Sequence, residues 1–368
     1  MLFILNFAKV ILKVIYAFVK IFPTRHRICF FSRQSDDLPT DFKLIIDSIV
    51  DTDNDIEIKV ICNRFRYLSD GPAHFIFNQV RSMYYLATSK VCILDAYWPA
   101  VSMLKHKKIL KVIQLWHSIG KIKQSGYQTV DRAGGRNSDV ARIMCMHQNY
   151  DYLIAGGEAW NKYYCEAFKI EEEKIRNYGL PRLDLLIKNR QKESFILERH
   201  PELQGKIVVL YAPTYRKYEI NPIIKLQNEF NDPRYALIWK MHPNQKIYGD
   251  MQYDTPGYEQ ENIFELMQLC DYFITDYSSL ALEAAVLNKK TFFYLFDYDR
   301  YNREYGLNID LYSIVPNCVF KNEKQLFDAI DSKLYPNKEM TEFRNNFLPK
   351  DLGISTERIK NLILECLK

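Results

Sequence analysis

From Ile28 onward, short β-rich runs alternate with helix-like stretches, twice over, and this alternation is the tightest constraint on how the chain folds. Ile28–Ser32, Ile56–Cys62, Lys90–Leu94, Lys108–Trp116 and Tyr150–Ala155 read as buried strands in the first half. Lys206–Ala212, Tyr235–Met241, Asp271–Thr275 and Thr291–Phe296 do so in the second. Helical patterns such as Asp41–Val50 lie between most of them, so the strands are expected to be parallel and joined by crossover helices. Two α/β domains of this kind, their sheets facing a cleft, bind ligands at the carboxyl ends of strands. A length of 368 residues accommodates both. The polar run Lys188–Glu193 marks the join. We expect an N-terminal domain over 23–190, a C-terminal domain over 191–345 and a final amphipathic helix within 346–368.

Residues 1–22, MLFILNFAKVILKVIYAFVKIF, differ from everything after them. Asn6, Lys9, Lys13, Tyr16 and Lys20 are the only polar or amphipathic positions. At 100° per residue they fall within an arc of about 80°. No apolar run of about 18 residues is free of charge, which disfavours a plain transmembrane span. No small-residue cleavage site follows, which disfavours a signal peptide. A narrow cationic stripe on a greasy helix predicts an in-plane anchor on an anionic membrane surface, with ammonium groups snorkelling to headgroups. The alternative is a helix buried against the next domain.

Composition excludes several classes. With 48% hydrophobic and 26% charged residues the chain is neither disordered nor low-complexity. Fifty Lys and Arg against 45 Asp and Glu leave +5, far from the excess of a dedicated nucleic-acid binder. The eight cysteines form no CxxC pair, so neither a zinc ribbon nor a redox dithiol is offered. They read as buried thiols in a reducing compartment.

Four peptides follow strands and carry the candidate chemistry. In Gln114–Tyr127, His117 stands at a strand end with Gly120, Lys121 and Lys123 behind it, where an imidazole can accept a proton near neutral pH. A hydrogen-bonded structural histidine is the plainer alternative. In Tyr211–Arg216, Thr214 and Arg216 follow a strand, and a guanidinium there suits a phosphate or a surface ion pair. Trp239–Asn244 places Lys240 and His242 at another strand end, with Pro243 locking the backbone. In Asp271–Asn288, Ser278 or Ser279 is placed to cap a helix whose free N–H groups attract an anion. Glu283, one turn further in, is placed either for ribose hydroxyls or for the positive helix end. No glycine-rich Rossmann or P-loop fingerprint occurs, and no acidic DxD pair is placed to hold a metal-bound nucleotide.

Taken in order, LWHSIGKIKQSGY, YAPTYR, KMHP and TDYSS followed by LALEA resemble the CDP-glycerol glycerophosphotransferase family of wall teichoic acid and capsule synthesis. The resemblance spans roughly residues 90–310. It implies a GT-B fold of two Rossmann-like domains, the nucleotide held mainly by the C-terminal one. It implies transfer of glycerol phosphate, or ribitol phosphate in relatives, from a CDP-alditol donor to a hydroxyl with release of CMP. By the same resemblance His117 is the base and His242 a ligand of the donor phosphates. Ser278 and Ser279 hold the diphosphate, Asp276 and Glu283 fall at acidic motif positions, and Arg216 is a phosphate contact. Lys121, Lys240 and Thr214 join them as substrate-binding candidates. The acceptor implied is a saccharide linked to polyprenyl diphosphate, handled at the cytoplasmic face of the membrane by a peripheral enzyme. No cofactor and no nucleic acid are expected.

The first motif resembles the primase branch more than the polymerases. A polymerase, a CDP-ribitol enzyme and a sugar-nucleotide GT-B glycosyltransferase of capsule synthesis stand as alternatives. Two departures from the family pattern are Ser118, where Gly or Ala is common, and Tyr305-Gly306, where Arg-Gly is expected. The Gly- and charge-rich loop Asp131–Arg142 has no assigned role.

Overall fold

The computed structural model describes residues 2–64, 71–188, 194–218, 220–242, 245, 258 and 260–368, so Pro243 lies outside the described residues. The chain divides into two units, Met1–Asp184 with Pro349–Lys368, and Leu185–Leu348.

The first unit holds β1 (Arg27–Ser32), β2 (Glu57–Cys62), β3 (Val91–Leu94), β4 (Lys111–Gln114), β5 (Tyr152–Ile154) and β6 (Ile175–Arg176). They pair in the order β2-β1-β3-β4-β5-β6, every pair parallel. The second holds β7 (Ile207–Tyr211), β8 (Tyr235–Trp239), β9 (Tyr272–Thr275), β10 (Lys290–Tyr294) and β11 (Val319–Phe320). Their order is β11-β10-β9-β7-β8, again all parallel. Interior strands are covered on both faces, which is why β1 and β3 read as unbroken apolar runs rather than alternating ones. Ile28, Cys29, Phe30, Phe31 and Val91 through Leu94 are all fully buried.

Strand order locates the crevices. In the first sheet the chain runs from β1 outward to β2, then returns to the other side of β1 for β3. In the second it runs from β7 to β8 and returns for β9. Each reversal opens a gap at the carboxyl ends of the two strands, where ligands of open α/β sheets bind. In the first unit those ends carry Ser32–Arg33 and Asp95. In the second they carry Ala212–Arg216 and Asp276–Ser279.

The tail returns to the first unit. Its last helix, Ser355–Leu367, buries Ile359, Leu362, Ile363 and Leu367 and packs on the helix Thr40–Val50. The Asp184 carboxylate accepts from the Ser355 and Thr356 amides at 3.0 and 2.7 Å, satisfying the open N–H groups of the first turn.

Helix α1 (Leu2–Val19) forms as expected, but Lys9, Tyr16 and the following Lys20 of the polar arc turn toward the protein. The Tyr16 hydroxyl donates to His106 Nδ1 at 2.7 Å, while His106 Nε2–H donates to the Val101 carbonyl. Lys9 donates to the Ile143 carbonyl at 2.6 Å and meets Cys145 Sγ at 3.0 Å. Lys20 donates to the Lys105 carbonyl at 3.1 Å. Both ammonium groups are thus engaged by backbone carbonyls. One of those carbonyls ends the helix Ser138–Ile143, where the dipole attracts a cation. Lys13 stays exposed. The apolar arc points outward, with Phe3 82%, Phe7 60% and Phe18 67% exposed.

Candidate active site

In the first unit the site is built around His117, which follows β4. Trp116, just before it, has φ 59°, a left-handed conformation that strains a bulky residue by about 1–3 kcal/mol and collects at functional positions. Three contacts hold Trp116 there. Its amide donates to Gln114 Oε1 at 2.9 Å, its ring meets Phe168 edge-on at 4.8 Å, and it lies against the His117 imidazole at 4.3 Å. The His117 Nδ1–H donates to the Asp95 carbonyl at 3.1 Å. That bond fixes the tautomer and leaves the Nε2 lone pair without a partner among the described residues. The His117 carbonyl accepts from Arg182 Nη2 at 3.1 Å, and Arg182 is locked by a buried ion pair with Asp41. His117 itself is solvent-exposed along one side, with protein crowding the rest. That crowding, followed by the cations Lys123, Arg182 and Lys121, pushes its pKa below the ordinary value against the pull of the Asp95 carbonyl.

Lys121 has a different place from the one expected. It is 3% exposed, its ammonium 4.8 Å from the Phe168 ring centre, 5.5 Å from Tyr164 and 5.6 Å from Trp116, and it donates to Ser125 Oγ. Burial, then Lys123, lowers its pKa to about 7. Its ammonium lies within this aromatic cage, against the Trp116 ring. Ser118 is satisfied locally by the Gly120 carbonyl at 2.6 Å. Gly126 has φ +59°, and a Cβ there would lie 2.2 Å from the Ala167 carbonyl oxygen, so only glycine fits the end of this motif.

In the second unit Arg216 is the organising residue. Its Nη1 meets Asp276 at 2.7 Å, and Nε and Nη2 grip Asp297 at 2.6 and 2.9 Å; the Arg216 and Asp276 side chains are wholly buried. Tyr218 and Tyr277 hydroxyls also donate to Asp297, at 2.6 and 3.2 Å. Tyr277, Tyr301 and Phe296 rings surround the guanidinium at 5.0–5.5 Å. Burial works against the charge of Asp297, yet Arg216 holds its carboxyl below the ordinary range. Arg216 is thus a structural hub, its guanidinium held between two carboxylates. Asp276 is equally engaged, accepting from the Thr214 amide at 2.9 Å and from its neighbour Tyr277 at 2.6 Å.

These bonds tie together the loops after β7, β8 and β9. Arg216 N–H donates to Gln245 Oε1 at 2.8 Å, and Tyr215 lies 5.5 Å from the exposed His242 ring. Lys240 is half-buried, reaching the Tyr258 carbonyl at 3.5 Å. The Thr214 hydroxyl is buried with no hydrogen-bond partner among the described residues. Ser278 Oγ accepts from the Leu280 amide at 3.3 Å, which is the capping role. Ser279 occupies the N-cap position of Leu280–Val286 without using its side chain there. Its hydroxyl is half-buried, with no hydrogen-bond partner among the described residues.

Comparison with known proteins decides the family. The sequence model of the CDP-Glycerol:Poly(glycerophosphate) glycerophosphotransferase family matches residues 14–365. The chain belongs to that family. This glycerophosphotransferase is 28% identical over 360 residues to the teichoic acid ribitol-phosphate primase of Bacillus spizizenii, covering 93% of this chain and 92% of that one. It is 29% identical over 305 residues to the teichoic acid glycerol-phosphate primase of Bacillus subtilis, covering 80% and 77%. A solved structure of the wall teichoic acid polymerase TagF soaked with CDPG superposes with TM-score 0.71 at 19% identity, covering 98% and 97%. That likeness shows the GT-B-like fold of two α/β domains.

Of the ten expected site residues, His117 and Lys121 lie in the first unit of the glycerophosphotransferase and the other eight in the second. Thr214, Arg216 and Asp276 form one bonded cluster, with His242 and the two serines on adjoining loops. Glu283 is buried at 1% exposure inside its helix. Asp95 and Asp297 join the site beyond those residues, each an acid close behind a strand end, a signal the sequence does carry. Tyr305, the departure from Arg-Gly, stacks on Tyr301 at 4.7 Å and accepts from the Lys217 amide, which closes the aromatic wall around Arg216.

Proposed function

We propose that this enzyme transfers glycerol phosphate from CDP-glycerol to a hydroxyl of a polyprenyl-diphosphate-linked saccharide, releasing CMP, as a teichoic acid primase on the cytoplasmic face of the membrane. The observation that carries the chemistry is His117, its tautomer fixed by the Asp95 carbonyl and its Nε2 open. The acceptor oxygen attacks the glycerol-bearing phosphorus in line and Nε2 takes its proton. The bond to the bridging oxygen breaks, and its electron pair leaves with CMP. Charge spreads over the phosphoryl oxygens, so positioning and electrostatic stabilisation supply most of the acceleration. His242, Lys240 and Ser279 stand at the strand ends of the second unit to hold the diphosphate. CMP release from CDP-glycerol and from CDP-ribitol, each with a lipid-linked acceptor, tests the assignment; no release from either overturns it. The ribitol-phosphate primase relative favours CDP-ribitol as the second reading. One unit added to the acceptor supports a primase, and a long product makes the enzyme a polymerase.

Ser279→Ala removes a hydroxyl that caps nothing, so helix stability should be unchanged. A hydrogen bond to a charged group contributes about 1.5–3 kcal/mol. The variant should therefore bind the CDP-alditol about tenfold or more weakly by calorimetry, with the same unfolding midpoint.

The outward apolar arc of α1 supports the membrane location. Phe3, Phe7 and Phe18 point away from the protein. Replacing all three by serine should leave the unfolding midpoint unchanged. Because burying one such ring yields about 1.5–3 kcal/mol, binding to phosphatidylglycerol vesicles should fall at least about a hundredfold. Unchanged sedimentation with vesicles would count against the anchor.

A further inference from the structure

The loop after β3 carries a feature that this reaction leaves unused. Tyr97 is buried, and two cations gather on it. Arg33 Nη1 donates to its carbonyl at 3.0 Å, and the Arg136 guanidinium lies 5.0 Å from its ring centre. The two charges are close enough that Arg136, after burial, depresses the pKa of Arg33. Arg136 makes no ion pair among the described residues. Asp95 draws Arg33 the other way, more weakly than Arg136 repels it, and its carboxylate also accepts from Ser32 Oγ and the Arg33 amide. Like charges held together at the edge of a crevice favour an anion beside them.

Their position indicates which anion. On one side, the Tyr97 hydroxyl donates to the Met144 carbonyl at 2.7 Å, and Lys9 of α1 bonds to the residues flanking Met144, at Ile143 and Cys145. On the other side, the carbonyl of Asp95, two residues before Tyr97, accepts from His117. The cation pair thus stands between the outward apolar helix and the open imidazole nitrogen. A molecule with its tail in a bilayer at α1 and its hydroxyl at His117 would lay its middle along this bonded path, over Tyr97.

We propose that Arg33 and Arg136, gathered around Tyr97 between α1 and His117, form a subsite for the phosphate or diphosphate that links the acceptor to its lipid. This rests on the reading that the acceptor is lipid-linked. It gives the loop Asp131–Arg142 a role, since Arg136 is presented from it, its carbonyl accepting from the Asp131 amide at 2.8 Å.

Arg136→Gln, at an exposed position, tests the subsite in the full-length enzyme. Two acceptors are compared, one saccharide carried either on a prenyl diphosphate or on an uncharged alkyl chain. The variant should raise KM for the diphosphate acceptor about tenfold, the usual worth of one charge-assisted hydrogen bond. KM for the CDP-alditol and for the uncharged acceptor should stay unchanged. An equal rise with both acceptors, or no rise with the diphosphate one, overturns the subsite. A second arm needs no turnover, so it reads the subsite even if the enzyme uses another donor: calorimetry with geranyl diphosphate and with inorganic pyrophosphate. Tighter binding of geranyl diphosphate, weakened about tenfold in Arg136→Gln, supports a lipid-linked ligand. Equal affinity for the two marks a free-phosphate site and overturns it, as does binding that the variant leaves intact.

Discussion

Replacing His117 by alanine is expected to lower turnover about 10²–10⁴-fold, the usual contribution of a positioned general base. Donor binding should be almost unaffected, because the imidazole belongs to the first unit and, among the described residues, its ring nitrogens meet only the Asp95 carbonyl. Calorimetry with CDP-glycerol and a CMP-release assay separate the two effects. Loss of donor affinity with near-normal turnover at saturation would reverse the assignment. The pH profile supplies a second readout. The neutral imidazole is the active form, and crowding, then Lys123, Arg182 and Lys121, hold its pKa below the ordinary 6.5, at about 4. Activity should thus persist as pH falls through 6 and decline only further down, a limb absent from His117→Ala. Folding stability has the same sign: the unfolded chain takes up this proton first, so stability falls as pH falls from 6.5 toward 4. Brief exposure to acid keeps the two effects apart.

What the sequence reveals and what it hides follow from range. The interior strands are legible because a parallel strand covered on both faces is apolar along its length, as β3 and β7 are and as β1 and β9 are apart from Arg27, Ser32 and Thr275 at their ends. The two-residue strands β6 and β11 are too short to leave a pattern. The loops after strands are legible for the same topological reason, so His117, His242 and the paired serines could be placed without coordinates. Partners distant in sequence were not legible. Arg216 looks like an anion ligand until Asp297, 81 residues away, is seen to occupy its fork. The last helix gives no local sign that its cap is Asp184, 171 residues earlier. Lys121 follows a glycine in a polar run, and its aromatic cage comes partly from Tyr164 and Phe168, more than 40 residues on. For α1 the polar arc was plain, but its direction depended on the Ile143 and Lys105 carbonyls, which no periodicity reports.

The second large effect is expected at Arg216. Its guanidinium is fully buried and shared between two buried or nearly buried carboxylates, so removing it leaves two anions without their counter-charge. Breaking such a pair by deleting one partner typically destabilises by about 3–5 kcal/mol. Arg216→Met should lower the stability of the second unit by about that much in urea unfolding. It should also loosen the loop after β7, since Nη1 donates to the Thr214 carbonyl at 2.6 Å as well. Donor binding would then fall as a consequence of lost order. Adding Asp276→Asn and Asp297→Asn to Arg216→Met removes the stranded charges, and much of the stability should return, because apolar or neutral replacement of a whole buried ion cluster is often close to neutral. A direct phosphate contact also weakens CDP-alditol binding, but with an unchanged unfolding midpoint and no recovery from the two asparagines. The midpoint of Arg216→Met alone distinguishes a hub that shapes the donor loops from a residue that touches the donor.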